Sequence, residues 1–171
     1  MRVLIVFIAC CAIQCAGAAS NAPGTEFQAS DAALFDDAVD LVEAPLIIEG
    51  TSGAFERRVT RADLIAVVRV ESLSSDLVRR RSAYRLAVRI EDRLKGSSAS
   101  ELVLRVEDDE PGYHTVKVNE DRLLRDPFIA FVKWETDAGN SEPVSHWHLS
   151  PASDAAREQV QIFLRKPVPD A

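Results

Sequence analysis

Three histidines are the side chains of this sequence best suited to bind a metal ion. His146 and His148 are separated by one residue, so in a strand both project from the same face, about 7 Å apart along the backbone. Neutral imidazole is a frequent ligand of zinc, and His114 could supply a third ligand if its strand lay alongside. Glu142 or Asp109 could add a carboxylate. The spacing therefore allows a metal site as one hypothesis.

The residues between and beside these histidines support a different interpretation. Trp147 and Leu149 are large and apolar, and in a strand they point to the face opposite His146 and His148. If the apolar pair faces the core, the two histidines face outward. Two exposed histidines on an edge strand need no metal to explain them, so both interpretations stay open.

Other motifs of catalysis are missing from the sequence. It has no Gly-rich phosphate loop and no Gly-x-Ser-x-Gly elbow, and no cysteine follows Cys15 to act as a nucleophile. The acidic run 107–110 lacks the alternating ligands of a calcium loop and is typical of a solvated turn. We therefore predict no catalytic residue and no cofactor. A non-enzymatic binding module is the leading interpretation, and a metal-dependent hydrolase built on the histidines is the alternative.

Seven or eight short strands are predicted around these residues. The clearest is Ala83–Gly96, where bulky apolar residues alternate with mostly charged ones before Leu94, Lys95 and Gly96 end the strand. Further strands are predicted at 46–48, 55–60, 62–73, 102–106, 113–118, 128–134 and 144–149.

One helix is predicted, over residues 153–166. Ala156, Val160 and Phe163 recur at helical spacing, Ser153 can cap the start, and Pro167 ends the helix. No helical pattern is available to cross over between parallel strands. The sequence therefore predicts an all-β, mainly antiparallel fold, a small OB-like barrel or sandwich with one C-terminal helix.

The N-terminal residues predict export from the cytoplasm. Residues 1–18 combine Arg2, an apolar run from residue 3 to residue 13, and the small residues 16–18 of a cleavage site. Cys15 resembles the lipidated cysteine of bacterial lipoproteins, so lipid anchoring at Cys15 and cleavage near Ala18 are both open. Residues 19–44 are small and acidic and predict a flexible spacer, and 45–171 a single β-rich domain with the C-terminal helix.

Charge limits the partners that we expect. The chain has 20 Lys and Arg against 27 Asp and Glu, a net charge of −7, which does not fit a nucleic-acid binder. We expect an exported protein, either periplasmic, an outer-membrane lipoprotein or secreted. Its unknown partner is expected to be another envelope protein, and contact with the membrane would come only through an N-terminal lipid anchor.

The strand layout also carries a family resemblance. Residues 62–70, the Leu94-Lys95-Gly96 stop and residues 128–132 are similar to a layout seen in exported bacterial proteins of unassigned function. Those proteins resemble the small OB-type barrels of netrin and metalloproteinase-inhibitor modules. The inhibitors use an N-terminal cysteine and several disulfides, and the predicted body here has no cysteine. The resemblance implies a barrel fold and transfers no functional residue.

Overall fold

The structure, a computed structural model, describes residues 26–42, 53–78, 81–136 and 143–165. Within these ranges the strands are β1 (Ala38–Val39), β2 (Leu64–Val78), β3 (Arg81–Lys95), β4 (Glu101–Glu107), β5 (Pro127–Glu135) and β6 (Val144–Pro151). The helices are α1 (Ala54–Arg61), α2 (Gly112–Val118), α3 (Glu120–Arg125) and α4 (Asp154–Arg165). None of the helices in the described ranges is long and apolar enough to cross a membrane.

The strands form one curled sheet in the order β1-β6-β5-β2-β3-β4. Every neighbouring pair is antiparallel except β1 and β6, which are parallel. The sheet is a half-barrel, and the Trp147 indole on β6 donates a hydrogen bond to the Arg105 carbonyl on the β4 edge at 2.8 Å. The predicted mainly antiparallel strand content and the C-terminal helix are confirmed. The fold is mostly strands but not purely all-β, because three further helices contribute to it.

Two of the predicted strands are helices. Residues 55–60 lie in α1, where Phe55 and Val59 share one face and pack into the core. Residues 113–118 lie in α2, where Gly112 and Val116 are buried and Val118 is exposed. Short runs of this kind fit a period of two and a period of 3.6 almost equally well, and burial at i and i+4 decides for the helix.

Two apolar cores lie on opposite faces of the sheet. The first core lies on one side, where α2 and α3 add Val116 and Leu123 to alternate residues of the strands. The second core lies on the other side, under α1 and α4. Its buried members are Leu34, Phe35, Val59, Ala62, Ile65, Ile129, Phe131, Ala156 and Val160.

Residues 26–42, named here the acidic strap, are part of the folded body. They lie inside the predicted spacer 19–44, yet Phe35 is only 1% exposed and β1 joins the sheet. Asp31 is fully buried because Arg61 of α1 donates two hydrogen bonds to its carboxylate, at 2.9 and 2.6 Å. The acidic side chains that predict a spacer are paired with residues far along the chain, such as Asp31 with Arg61. The folded body therefore includes residues ahead of the predicted boundary at 45.

Some predictions fall outside the described residues. These are the export signal at 1–18 with Cys15, and the strand at 46–48. The remaining strands and the C-terminal helix fall on β2 to β6 and α4, with ends that differ by a few residues.

The end of β3 is fixed by contacts with the start of β2. The Lys95 ammonium donates to the carbonyls of Val59 and Thr60, at 3.0 and 2.8 Å, and so caps the end of α1. Gly96 has a φ of +77°, and a Cβ there would lie 2.0 Å from the carbonyl oxygen of Asp63. The positive φ and the close approach to the Asp63 carbonyl both require glycine at position 96.

Candidate functional site

Strand β6 holds His146 and His148 on the face opposite the first core. Trp147 and Leu149 are fully buried in that core, as the alternation predicts. However, β6 is not an edge strand, because β1 pairs with it and places Ala38 opposite His148. The interpretation as exposed edge histidines is therefore wrong, since the acidic strap covers this part of β6.

His148 lies between two aspartates of the acidic strap. Its Nδ1 is 2.8 Å from Oδ1 of Asp36, and its Nε2 is 2.8 Å from Oδ2 of Asp40. The imidazole is almost completely buried, with 2% of its surface exposed. Both ring nitrogens therefore have a carboxylate as their hydrogen-bond partner.

His146 has the same kind of arrangement with longer distances. Its Nδ1 is 3.3 Å from Oδ2 of Asp37, and its Nε2 is 3.2 Å from Oε2 of Glu135 on β5. The ring of Phe27 packs on the imidazole with a centroid distance of 4.9 Å. This second histidine thus joins the acidic strap to β5 as well as to β6.

Asp37 connects the acidic strap to the backbone of β6. Its N–H donates to the Trp147 carbonyl at 2.9 Å, and its Oδ1 accepts the Trp147 N–H at 3.0 Å. Its φ is +50°, a left-handed conformation that aspartate tolerates better than most residues. Gly112 of α2 lies so close that a Cβ there would be 1.9 Å from the Asp37 carbonyl oxygen. Asp37 is therefore held from two sides.

Hydrogen-bond chemistry sets the charge of both histidines. An ionised carboxylate only accepts hydrogen bonds, so an imidazole paired with carboxylates at both nitrogens must carry a proton on each. The hydrogen bond with Asp37 is the main cause that raises the pKa of His146 above its ordinary 6.5, and burial opposes it. Burial acts most strongly on the pKa of His148 and lowers it, but the bonds with Asp36 and Asp40 outweigh burial and raise it. These contacts therefore favour the imidazolium form of both rings.

The aspartates respond to the same contacts. Burial opposes ionisation of Asp36, but the hydrogen bond and charge of His148 lower its pKa below 3.8, and the bond with His148 also lowers the pKa of Asp40. Burial raises the pKa of Asp37 and so favours its neutral form, whereas the raised pKa of His146 depends on a charged Asp37. We assign Asp37 as ionised, because its second oxygen accepts the Trp147 N–H.

Arg58 of α1 adds a third cation to this cluster. Its guanidinium lies 4.0 Å from Oδ2 of Asp40, and its Nε donates to the Leu34 carbonyl at 2.8 Å. We name the whole set the histidine cluster. It consists of Asp36, Asp37, Asp40, Arg58, Glu135, His146 and His148.

The predicted metal ligands are only partly brought together. His146 and His148 share a face, but each of their four ring nitrogens already has a carboxylate partner. His114 is an exposed residue of α2, Asp109 pairs with Arg81, and Glu142 lies outside the described residues. Over the described ranges, no three His, Cys, Asp or Glu side chains are arranged to hold a metal ion. The metal hypothesis stays a prediction.

Sequence reasoning did not find Asp36, Asp37, Asp40 or Arg58 as partners of the histidines. A signal was present, because three aspartates at 36, 37 and 40 stand beside the apolar pair Leu34 and Phe35. Such a pattern is unusual for a solvated spacer. It could have indicated an acidic segment that docks on cations.

A second candidate surface is the uncovered side of β2, β3 and β4, named here the outer face. Arg85 pairs with Asp76 at 3.0 Å, Arg89 with Glu71 at 2.6 Å, and Arg69 with Glu91 at 3.0 Å. These cross-strand ion pairs form a lattice of both charge signs. Its other members are Glu101, Val103, Arg105 and Glu107 of β4 and Ala87 of β3.

Comparison with known proteins gives no match. No protein-family model, no curated protein and no solved structure matches this chain. The resemblance to exported bacterial barrels is therefore still a prediction. Function has to be inferred from the geometry of the chain itself.

Proposed function

We propose that this protein is an exported, non-catalytic binding module of the cell envelope, and that its partner is another envelope protein. The observation that carries the proposal is the outer face. Val103 is 60% exposed at its centre, next to the partly exposed Ala87, and arginines and carboxylates surround the two. Protein interfaces commonly combine a small apolar centre with a polar rim that is rich in arginine.

The ion pairs of the outer face indicate what kind of surface would fit. Arg85 and Arg105 lie directly opposite each other on β3 and β4, as do Arg69 and Arg89 on β2 and β3. Like charges in this arrangement repel each other, and each of the four arginines pairs with a neighbouring carboxylate. A partner that presents carboxylates to the arginines and an apolar side chain to Val103 would improve both contacts. We therefore expect a protein surface of mixed charge.

The free edge of the sheet is a less suitable binding site. Within the described chain no strand pairs with the outer side of β4, but the Trp147 indole occupies the Arg105 carbonyl there. A strand added at this edge would have to displace that hydrogen bond. Binding through side chains of the outer face is the better supported mode.

Photo-crosslinking tests the binding surface. We would introduce a photoreactive phenylalanine at Val103 of the full chain and irradiate the native cells. The matched control is Ile162 on α4, which is also exposed (43%) but does not belong to the outer face. We expect one discrete adduct with an envelope protein from position 103 and none from 162. Equal adducts from both positions, or none from either, would refute the outer face as the binding surface.

Export and anchoring belong to the same proposal and rest on residues 1–18 and on Cys15. Labelling with a clickable palmitate analogue tests the anchor, with Cys15→Ser as the variant and Cys10→Ser as the matched control. Loss of label in the Cys15 variant alone supports anchoring at Cys15. An unlabelled wild-type protein refutes the anchor and leaves cleavage near Ala18.

The kinship with small OB-type barrels is also proposed. Its support is the curled antiparallel sheet and the Leu94-Lys95-Gly96 stop, where Lys95 and Gly96 join the end of β3 to α1 and to the start of β2. The half-barrel with its four helices in the described ranges is a departure from that fold, and an experimental structure of a related chain would test the kinship.

A further inference from the structure

We propose that the histidine cluster is a pH-dependent lock, in which protonated His146 and His148 hold the acidic strap on the sheet and release it when they lose their protons as the pH rises. The inference goes beyond the proposed binding function. It rests on the placement of each imidazole between two carboxylates, one pair of which lies entirely on the acidic strap.

Loss of one proton changes the contacts directly. In the protonated rings every nitrogen donates to a carboxylate oxygen, at 2.8 Å for both bonds of His148 and at 3.2 and 3.3 Å for those of His146. Removing a proton leaves a nitrogen lone pair facing an oxygen lone pair at the same distance. A charge-assisted hydrogen bond is then replaced by repulsion, and the two carboxylates beside that ring lose their counter-ion.

The charged groups that face the histidines come from several elements. The acidic strap contributes Asp36, Asp37 and Asp40, and β5 contributes Glu135. Burial and, to a smaller extent, the charge of Asp37 raise the pKa of Glu110 ahead of α2. The cations are Arg58 of α1, near Asp40, and Lys133 of β5, which is opposite His146 in register and bonded to Asp63. Among the described residues of this region carboxylates outnumber cations, so the surroundings favour protonated rings.

The direction of the pH dependence follows from these contacts. Both histidine pKa values are raised in the folded protein, so their contribution is complete below the unfolded value of 6.5 and is lost as the pH rises through the raised values. The pKa values of Asp36 and Asp40 are lowered, so their contribution is present above 3.8 and is lost as the pH falls through the lowered values. Burial raises the pKa of Asp37, so ionising this carboxyl offsets part of the stability that its bond with protonated His146 provides. The acidic strap is therefore held on the sheet at pH values between the lowered pKa values of Asp36 and Asp40 and the raised pKa values of the two histidines.

Release of the acidic strap would expose defined features of the sheet. The N–H groups of Asp37 and Asp40 donate to the carbonyls of Trp147 and Leu149, at 2.9 and 2.8 Å, so β6 would become a free edge. Leu34 and Phe35 would leave the second core. A free edge beside uncovered apolar surface is the kind of site to which an extended segment of another protein can add as a strand.

Methyl NMR of the full chain tests the lock without interference from amide exchange. We would follow the methyl groups of Leu34 and Val39 on the strap, with Val116 in the first core as reference, between about pH 6 and pH 9, a range that starts just below the ordinary histidine pKa of about 6.5. We expect the Leu34 and Val39 signals to move toward unfolded positions as the pH rises while Val116 keeps its folded position. Strap signals that stay folded over this range would overturn the proposal.

Variants separate the lock from general unfolding. Asp40→Asn, at a residue that is 41% exposed in its side chain, should keep the fold and move the release to lower pH, because one carboxylate partner of His148 is lost. His114→Gln, at an exposed position of α2, is the matched control and should release the strap at the wild-type pH. An unchanged release pH in Asp40→Asn, or an equal shift in His114→Gln, would also overturn the proposal.

Discussion

Replacing Gly96 by alanine is the sharpest test of how the end of β3 is built. At this position φ is +77°, and the new Cβ would lie 2.0 Å from the Asp63 carbonyl oxygen, 3.1 Å from its carbonyl carbon and 3.2 Å from Cα of Leu64. All three neighbours are backbone atoms, so no flexible side chain can move aside. The chain has to shift at the start of β2, where the Asp63 N–H donates to the Val132 carbonyl at 2.9 Å.

The expected cost combines two effects. An alanine in the left-handed region costs about 1–2 kcal/mol. Weakening a backbone hydrogen bond beside the sheet costs about 1 kcal/mol more, since each contributes about 0.5–1.5 kcal/mol net. A gain of about 0.4–1 kcal/mol from a stiffer unfolded chain offsets part of this. Gly96→Ala should therefore lower the free energy of unfolding by about 2 kcal/mol.

Urea unfolding followed by circular dichroism measures this difference, and Gly53→Ala is the matched control. Gly53 precedes α1 with a φ of −65°, and a Cβ there meets nothing within 4 Å. Its replacement should change the free energy of unfolding by less than about 0.5 kcal/mol, since the unfolded-state gain and the weaker N-cap oppose each other. Equal stabilities of the two variants would refute the account of the β3–β2 junction.

Two further pairs of substitutions test the packing of the second core and the buried ion pair of Lys133. Phe35→Ala should destabilise the protein by about 3–5 kcal/mol, because the acidic strap is part of the core. The control Leu164→Ala, at a 36% exposed position, should cost less than about 1 kcal/mol. Similar small losses for both variants in thermal melts would contradict a packed strap. Lys133→Met should cost about 3 kcal/mol, because it removes the ammonium that lies 2.8 Å from the mostly buried Asp63 carboxylate. The control Arg85→Met, in an exposed ion pair, should cost less than about 1 kcal/mol. Equal urea midpoints for these two would show that the buried pair has no special role.

The strands were predictable where one face of the sheet is apolar over several residues. In β3, Tyr84, Leu86 and Val88 face the first core and alternate with exposed arginines, so the period of two is plain. In α2 the run is only seven residues long, and its period is decided by contacts with the sheet that the local sequence does not contain. The turn at Gly96 was recognised, but its close approach to Asp63 is a tertiary contact.

The candidate site shows a different limit of sequence reasoning. The orientation of His146 and His148 away from the first core followed from Trp147 and Leu149, and it was correct. Their partners were missed because Asp36 and Asp40 are more than 100 positions away in the sequence, and an acidic segment has the composition of a spacer unless its counter-ions are known. Long-range charge pairing leaves almost no local signal.

The protonation state of the two buried imidazoles is the most direct test of the histidine cluster. Nitrogen NMR of uniformly labelled protein at neutral pH distinguishes a ring with two N–H groups from a neutral ring with one. We predict that His146 and His148 each show two protonated nitrogens, because all four nitrogens face carboxylate oxygens within 3.3 Å. A neutral ring at either position under these conditions would contradict the ion-pair assignment and, with it, the lock on the acidic strap.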